Sequence, residues 1–285
     1  MNTLTALPAS RPDADSPSLW DTLRWRELRR RQPALATMAL LFALALIPCL
    51  IAMKVDSRTV NDISVWIKPT KFLLSLAVYY ATLAWCFGFL PASAQHTRAG
   101  RFVIVAPLVA GMLEMAWLLA AAVLGVPAHF NRADPLWAAA YGAAGVGAVV
   151  LLVAIFVQGR MIARDRSIDM APALRRALVL GATLSAAATL VTAGVLSAGN
   201  GHWVGGSASD AGGLPLIGWS RQGGDLRVAH FFALHLQQAL ALVGWGLARS
   251  RWAAQTRAVD LAAVAMLAFT ILTFVQALQG RSWLG

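Results

Sequence analysis

Charge is the scarcest thing in this sequence. Asp, Glu, Lys and Arg make up 13% of its 285 residues, against about a quarter in an ordinary soluble domain. That excludes a water-solvated globular surface over most of the chain. Cysteine is nearly absent too. Cys49 and Cys86 fall late in different apolar runs, toward opposite faces of a bilayer, which excludes a disulfide framework or a paired-thiol metal site. A glycine-rich phosphate loop and a nucleophile elbow are also missing, so nucleotide or dinucleotide chemistry finds no support. No cleavable signal peptide is expected, because the first 33 residues hold six arginines and no apolar core of the needed kind.

What fills the chain is apolar. Hydrophobic residues reach 58% and the mean hydropathy is +0.62, a composition suited to lipid. The pattern predicts seven spans, at 33–53, 69–90, 102–126, 136–157, 177–198, 228–248 and 259–279. Each is close to the roughly 20 residues that a bilayer demands. Hydrocarbon offers the backbone no partners, so the expected fold is all-α, a polytopic seven-transmembrane-helix bundle. Residues 1–32 form a basic tail, 33–279 the membrane domain and 280–285 an outer tail. Pro48 is expected to break the first span late. Gly142, Gly145 and Gly147 in span 4, with Gly181 and Ser185 in span 5, read as close helix packing.

The net charge of +11 lies in loops between spans, which points to orientation rather than nucleic acid. With the N-terminus inside, sixteen Lys and Arg fall on the inner side and eight on the outer. This bias predicts a cytoplasmic N-terminus and a periplasmic C-terminus, the reverse of the rhodopsin arrangement. Span 7 has no lysine for a retinal Schiff base. In the tail, residues 18–32 place Trp20, Leu23 and Leu28 on one helical face, either an interfacial helix on anionic headgroups or a merely basic lead-in. The long outer loop, 199–224, is rich in glycine and carries Trp203 and Trp219. Its apolar piece, 214–219, is too short to span, so the loop either dips into the outer leaflet or lids the bundle mouth.

Ionisable residues inside spans are the functional signal, because hydrocarbon tolerates them only where they face the bundle interior or a cavity. They are distributed unevenly. His129, His202, His230, His235, Lys71 and Gln276 all fall in the outer half, whereas the inner half is almost purely apolar. Glu114 is the deepest, about 18 Å below the outer end at 1.5 Å of rise per residue. A carboxyl at that depth must be neutral or paired, the state that a proton relay or ion site uses. Lys71 either snorkels to headgroups, serves as counter-ion to Glu114, or binds an anionic ligand. Asp225 precedes span 6 as an N-cap would. Arg227 opposes the helix dipole there, which implies pairing with Asp225, Asp210 or a substrate anion.

Imidazole is a versatile metal ligand, so His129, His202, His230 and His235 form a candidate metal set. His230 and His235, five apart, are rotated by about 140° around a regular helix and do not share a face. A b-type haem is better served by His129 and His230 from neighbouring regions.

The runs Gly-Gly-Asp-Leu-Arg-Val-Ala-His-Phe-Phe-Ala-Leu-His (223–235), His-Phe-Asn (129–131) and Trp-Ile-Lys-Pro-Thr-Lys-Phe (66–72) carry a family resemblance. Over most of spans 2 to 7 the chain resembles a family of bacterial multi-pass inner-membrane proteins without an assigned activity. The resemblance implies a bacterial inner-membrane protein of this architecture and brings no reaction with it.

Three functional expectations follow. The first is a metal- or haem-binding protein with a His-rich site near the outer face, with His129, His230, Lys71, Arg227 and Gln276 around the cofactor. The second is an intramembrane metal-dependent hydrolase of a lipid, in which Glu114 or Asp225 handles protons around an activated water. The third is a proton-coupled transporter that uses Glu114. Partners implied are the lipid bilayer and a small-molecule or lipid ligand at the outer face, with no nucleic acid.

Overall fold

The computed structural model describes residue 21 and residues 24–132, 134–214 and 217–284. Among these, eight α-helices and two short hairpin ladders are formed. Helix α1 (Trp25–Arg31) precedes α2 (Pro33–Val55), α3 (Ile67–Phe87), α4 (Arg98–Leu124), α5 (Pro135–Arg164), α6 (Pro172–Ala198), α7 (Leu226–Ala248) and α8 (Thr256–Leu278). The last seven are long and apolar enough to cross a membrane. The chain is an all-α, multi-pass membrane protein. Its outward faces present residues such as Leu41, Ile51, Leu113 and Leu272, which are more than half exposed and meet acyl chains where a soluble protein would place charge.

Helix ends follow local chemistry. Pro33, Pro135 and Pro172 each open a helix, where a missing N–H costs nothing. Asp134 caps α5 by accepting from the N–H groups of Leu136 and Trp137, and Thr97 caps α4 through Gly100. Gly125 ends α4 at φ 70, a left-handed C-cap that favours glycine. Several helices run further than hydropathy alone suggests: α5 continues to Arg164, beyond the expected end at 157. Pro48 does not break α2, which runs through to Val55. One lost backbone bond inside a long apolar helix is tolerated in a membrane.

The described part of the N-terminal tail is helical and docked. Glu27 binds Arg30 and Arg31, and Arg31 Nη1 donates to the Trp85 carbonyl at 2.8 Å. Leu28 is buried beneath it. Trp20 and Leu23, expected on the same face, lie outside the described residues.

Helices α6 and α7 approach most intimately. A Cβ on Gly181 would stand 3.1 Å from Gln237 Cα, and one on Gly244 would stand 2.4 Å from Ala177 Cβ. Ser185 Oγ donates to the carbonyls of Ala233 and Leu234. The packing expected of Gly181 and Ser185 is present, whereas Gly142 and Gly145 on α5 face nothing within 4 Å.

One end of the bundle gathers the connections that build the site, and is called the lid end. A hairpin pairs β1 (Thr59–Val60) with β2 (Ile63–Ser64) through Asn61 and Asp62, whose φ values of 53 and 66 make the mirror-image turn that twisted strands prefer. The loop after α6 pairs β3 (Trp203–Val204) with β4 (Gly224–Asp225). That loop also leans on the hairpin, with Asp210 N donating to the Asn61 carbonyl and Ser209 Oγ to Asp62. Leu214 N donates to the Trp219 carbonyl. Trp219 is buried against Phe231, Phe232 and Trp283. The loop is a folded cover over the helix ends.

Candidate functional site

Beneath that cover lies a cavity of about 240 Å³. Its walls come from six parts of the chain. The hairpin contributes Asn61 and Ser64, the first turns of α3 contribute Lys68 and Lys71, and the last turns of α4 contribute Leu118, Ala121 and Ala122. The α4–α5 connection adds His129 and Phe130, the cover adds His202 and Asp210, and α7 adds Arg227 and His230. The sequence pattern that places Lys68 and Lys71 together is their spacing of three, which puts both on one face at the start of a helix.

Three charged groups and His202 latch the cover to α7. Arg227 Nη2 donates to Asp210 at 2.7 Å, to Asp225 at 2.6 Å and to the Gly218 carbonyl at 2.7 Å. Asp225 is 2% exposed and also accepts from the backbone N–H groups of Ser220 and Arg227, so it caps α7 and holds the turn before it. His202 Nε2 lies 3.0 Å from Asp210 Oδ1, with its ring stacked on Trp203. Burial pulls the Asp210 carboxyl up, but the His202 bond and the Arg227 charge outweigh it and hold the group below the ordinary carboxylate range. Burial pushes His202 below the usual imidazole value against the opposing pull of Asp210. Both oxygens of Asp225 are engaged, which leaves it no freedom to manage protons on a substrate water, the role expected of it in a hydrolase.

The remaining histidines part company. His129 sits among Phe72, Phe130 and Tyr141, and its Nδ1 is buried without a partner. Burial drives its pKa well below the usual value, and the Lys68 charge adds to this. Phe130 beside it holds a left-handed φ of 62, a strained conformation for a bulky residue. His230 Nδ1 lies 3.2 Å from Thr192 Oγ1, and Thr192 passes its own proton to the Ala188 carbonyl. The hydroxyl is therefore left to accept from His230 Nδ1–H, and Nε2 keeps its lone pair. His235 is elsewhere: it packs 4.4 Å from Phe231 in an apolar groove with Phe269 and Met266 between α7 and α8. Gln276 is elsewhere too, its amide donating to the Ser282 carbonyl. The five-residue separation of His230 and His235 has the consequence that helix geometry requires.

Among the described residues, no three of His, Cys, Asp and Glu gather as a ligand set for a metal ion. Of the histidines in the cavity wall, His202 has one nitrogen on Asp210 and His230 has one on Thr192, which leaves one nitrogen each. The cavity is also below the roughly 300–1,000 Å³ typical of sites for drug-sized ligands, which a porphyrin would need.

Lys71 Nζ donates to the Ile217 carbonyl at 3.1 Å, so it ties the cover to α3. Lys68, not Lys71, is the lysine within electrostatic reach of Glu114. Among the described residues no hydrogen-bond acceptor is placed on Lys68. Glu114 is 7% exposed, and its Oε2 has no hydrogen-bond partner. Asn61 and Thr192 escaped the sequence reading, which named Asp210 only among the partners open to Arg227. Nothing in the sequence says that the loop before α3 would roof a cavity.

Comparison of the chain with protein-family models, with curated proteins and with solved structures finds no match.

Proposed function

We propose that this membrane protein binds a small oxyanion (phosphate, sulfate or a carboxylate) in the lid-end cavity, with Lys68 and Lys71 as the ligating cations. One observation carries the reading: the cavity wall presents Lys68, Lys71 and Arg227 against the single carboxylate of Asp210. Arg227 is already held by Asp210 and Asp225, so the two ammonium groups are the charge left over for a ligand. Low-dielectric walls strengthen such a field and concentrate it on an anion. His129, whose Nδ1 has no partner, can add a neutral N–H contact to the same ligand.

Calorimetric titration of the purified protein with sulfate and with inorganic phosphate tests this. Lys68→Met and Lys71→Met should each weaken binding by about tenfold or more, as expected for removal of a charge-assisted bond of roughly 1.5–3 kcal/mol. Unchanged affinity in both variants would sink the idea. A soluble anion and a lipid headgroup offer the same chemistry. Repeating the titration in bilayer discs with and without phosphatidylglycerol separates them, since a headgroup ligand competes with sulfate only in the anionic discs.

A metal or haem remains the second reading, favoured by one observation: His129 and His230, from different parts of the chain, converge on one cavity. Against it, two ammoniums and a guanidinium line the same space and repel a divalent cation. Elemental analysis and an absorption spectrum decide it, with stoichiometric metal or a Soret band as the supporting outcome. The resemblance of the three motifs supports placement in a bacterial inner membrane, and the lysine and arginine bias supports the lid end facing the periplasm.

A further inference from the structure

We propose that Glu114 is a proton site just below the cavity floor, coupled to the cavity through Lys68, so that the protein takes up one proton with each oxyanion it binds. The inference rests on the anion reading above and deepens it. Leu118, Ala121 and Ala122 line the cavity. Glu114 lies one turn before Leu118 on the same face of α4, about 6 Å deeper along the axis. Leu118 is therefore the plug between the carboxyl and the ligand space. On the far side α5 presses close, since a Cβ on Gly147 would stand 4.0 Å from Glu114 Oε2. A carboxyl walled in this way, with Oε2 unpartnered, needs either a counter-charge or a proton.

The neighbours decide which. Beside α4, α3 carries Lys68, Lys71, Tyr79 and Tyr80. Both tyrosine hydroxyls are already engaged, with Tyr79 on the Leu151 carbonyl and Tyr80 on the Pro107 carbonyl. Helix α5 adds Tyr141 and α2 adds Cys49, neither a cation. Lys68 lines the cavity above Glu114 and is the cation whose charge reaches the carboxyl, without a direct ion pair between them. One ammonium cannot fully serve two anions. When an oxyanion occupies the cavity and draws on Lys68, the Glu114 carboxylate loses its support and takes a proton from solvent, forming one O–H bond. By reciprocity, a protonated Glu114 frees Lys68 and tightens the anion site by the same factor.

Sulfate is the probe, because it does not titrate over the working range as phosphate does. For wild type, calorimetry in buffers of different ionisation enthalpy should report about one proton taken up per sulfate. Affinity should fall by about tenfold per pH unit above the titration of Glu114. Glu114→Gln, isosteric and always neutral, should bind sulfate at the wild-type low-pH affinity, with the slope and the proton uptake both lost. Should Glu114→Gln keep both, the protons belong to Lys68, Lys71, His129, His202 or His230 and the inference is overturned, while the anion site stands. Sulfate binding by wild type without proton uptake overturns it equally. No sulfate binding at any pH removes the anion site and the coupling together. Difference infrared spectra provide a readout independent of affinity. The carboxyl band of Glu114 should respond to sulfate in wild type and be absent from Glu114→Gln. A sulfate response identical in wild type and Lys68→Met would refute the route through Lys68.

Discussion

At the residue scale, the lid end shows how few groups need to be placed well. Arg227 begins a helix, where a cation is unfavourable by the dipole, and is held there by two carboxylates 2.6 and 2.7 Å away. The arrangement converts an electrostatic misfit into a clasp between α7 and its own cover. Removing a partner from a buried, hydrogen-bonded pair leaves the other charge exposed to apolar surroundings, at a cost of about 3–5 kcal/mol. Asp225→Ala should therefore destabilise the protein by an amount of that order, seen as a large fall in thermal midpoint in detergent. Conservative removal of Gln276, whose amide only ties down the C-terminal tail, should leave the midpoint and the anion affinity nearly unchanged. Asp225 and Arg227 were legible in the sequence as a cap and its companion. The third member, Asp210, was one of the partners the sequence offered Arg227, and the loop folded back over α7 is what makes it the bridge.

At the element scale, glycine shows why composition alone misleads. Helix α5 carries Gly142 and Gly145, and α6 carries Gly181, all in similar small-residue runs. Space exists beside the first two and not beside the third. Gly181→Val should drive α6 away from Gln237 and lower stability by several kcal/mol, with aggregation visible on size-exclusion chromatography. Gly142→Ala should be neutral or stabilising by up to about 1 kcal/mol, from helix propensity alone. The helices themselves were readable from runs of apolar residues, and their ends from Pro, Asp and Gly at the expected positions. Pro48 was not readable correctly, because sequence gives the missing N–H but not the surroundings that keep the helix intact on both sides of it. The hairpin at 59–64 and the ladder between β3 and β4 were also out of reach, since strands of two residues carry no period.

At the scale of the whole molecule, polarity is segregated along the bundle axis. The cavity-lining cations, imidazoles and folded loops meet at the lid end, while the opposite end carries most of the arginines, among them Arg176 in an ion pair with Asp260. With sixteen Lys and Arg on one side and eight on the other, the lid end is expected to face outward. A single cysteine introduced at Gln222, an exposed position on the cover, should be labelled by a membrane-impermeant maleimide added to intact cells. One at Arg257 should be labelled only after lysis. The reverse result would invert the orientation and place the cavity toward the cytoplasm. The native thiols are both buried and should give little background.

Composition and hydropathy were enough to determine the class, seven spans and the bias of ionisable groups toward one end. These follow from one requirement, that hydrocarbon must be met by apolar side chains and every backbone group be satisfied within a helix. Which of the polar groups share a space was decided only by tertiary structure. His129, His202 and His230 face one cavity, while His235 and Gln276, at similar depths, do not. Depth follows from position along a helix, but convergence depends on how each helix is rotated against its neighbours and on where a long loop comes to rest. Those depend on packing between segments far apart in the chain, as when Lys71 on α3 reaches the Ile217 carbonyl of the cover.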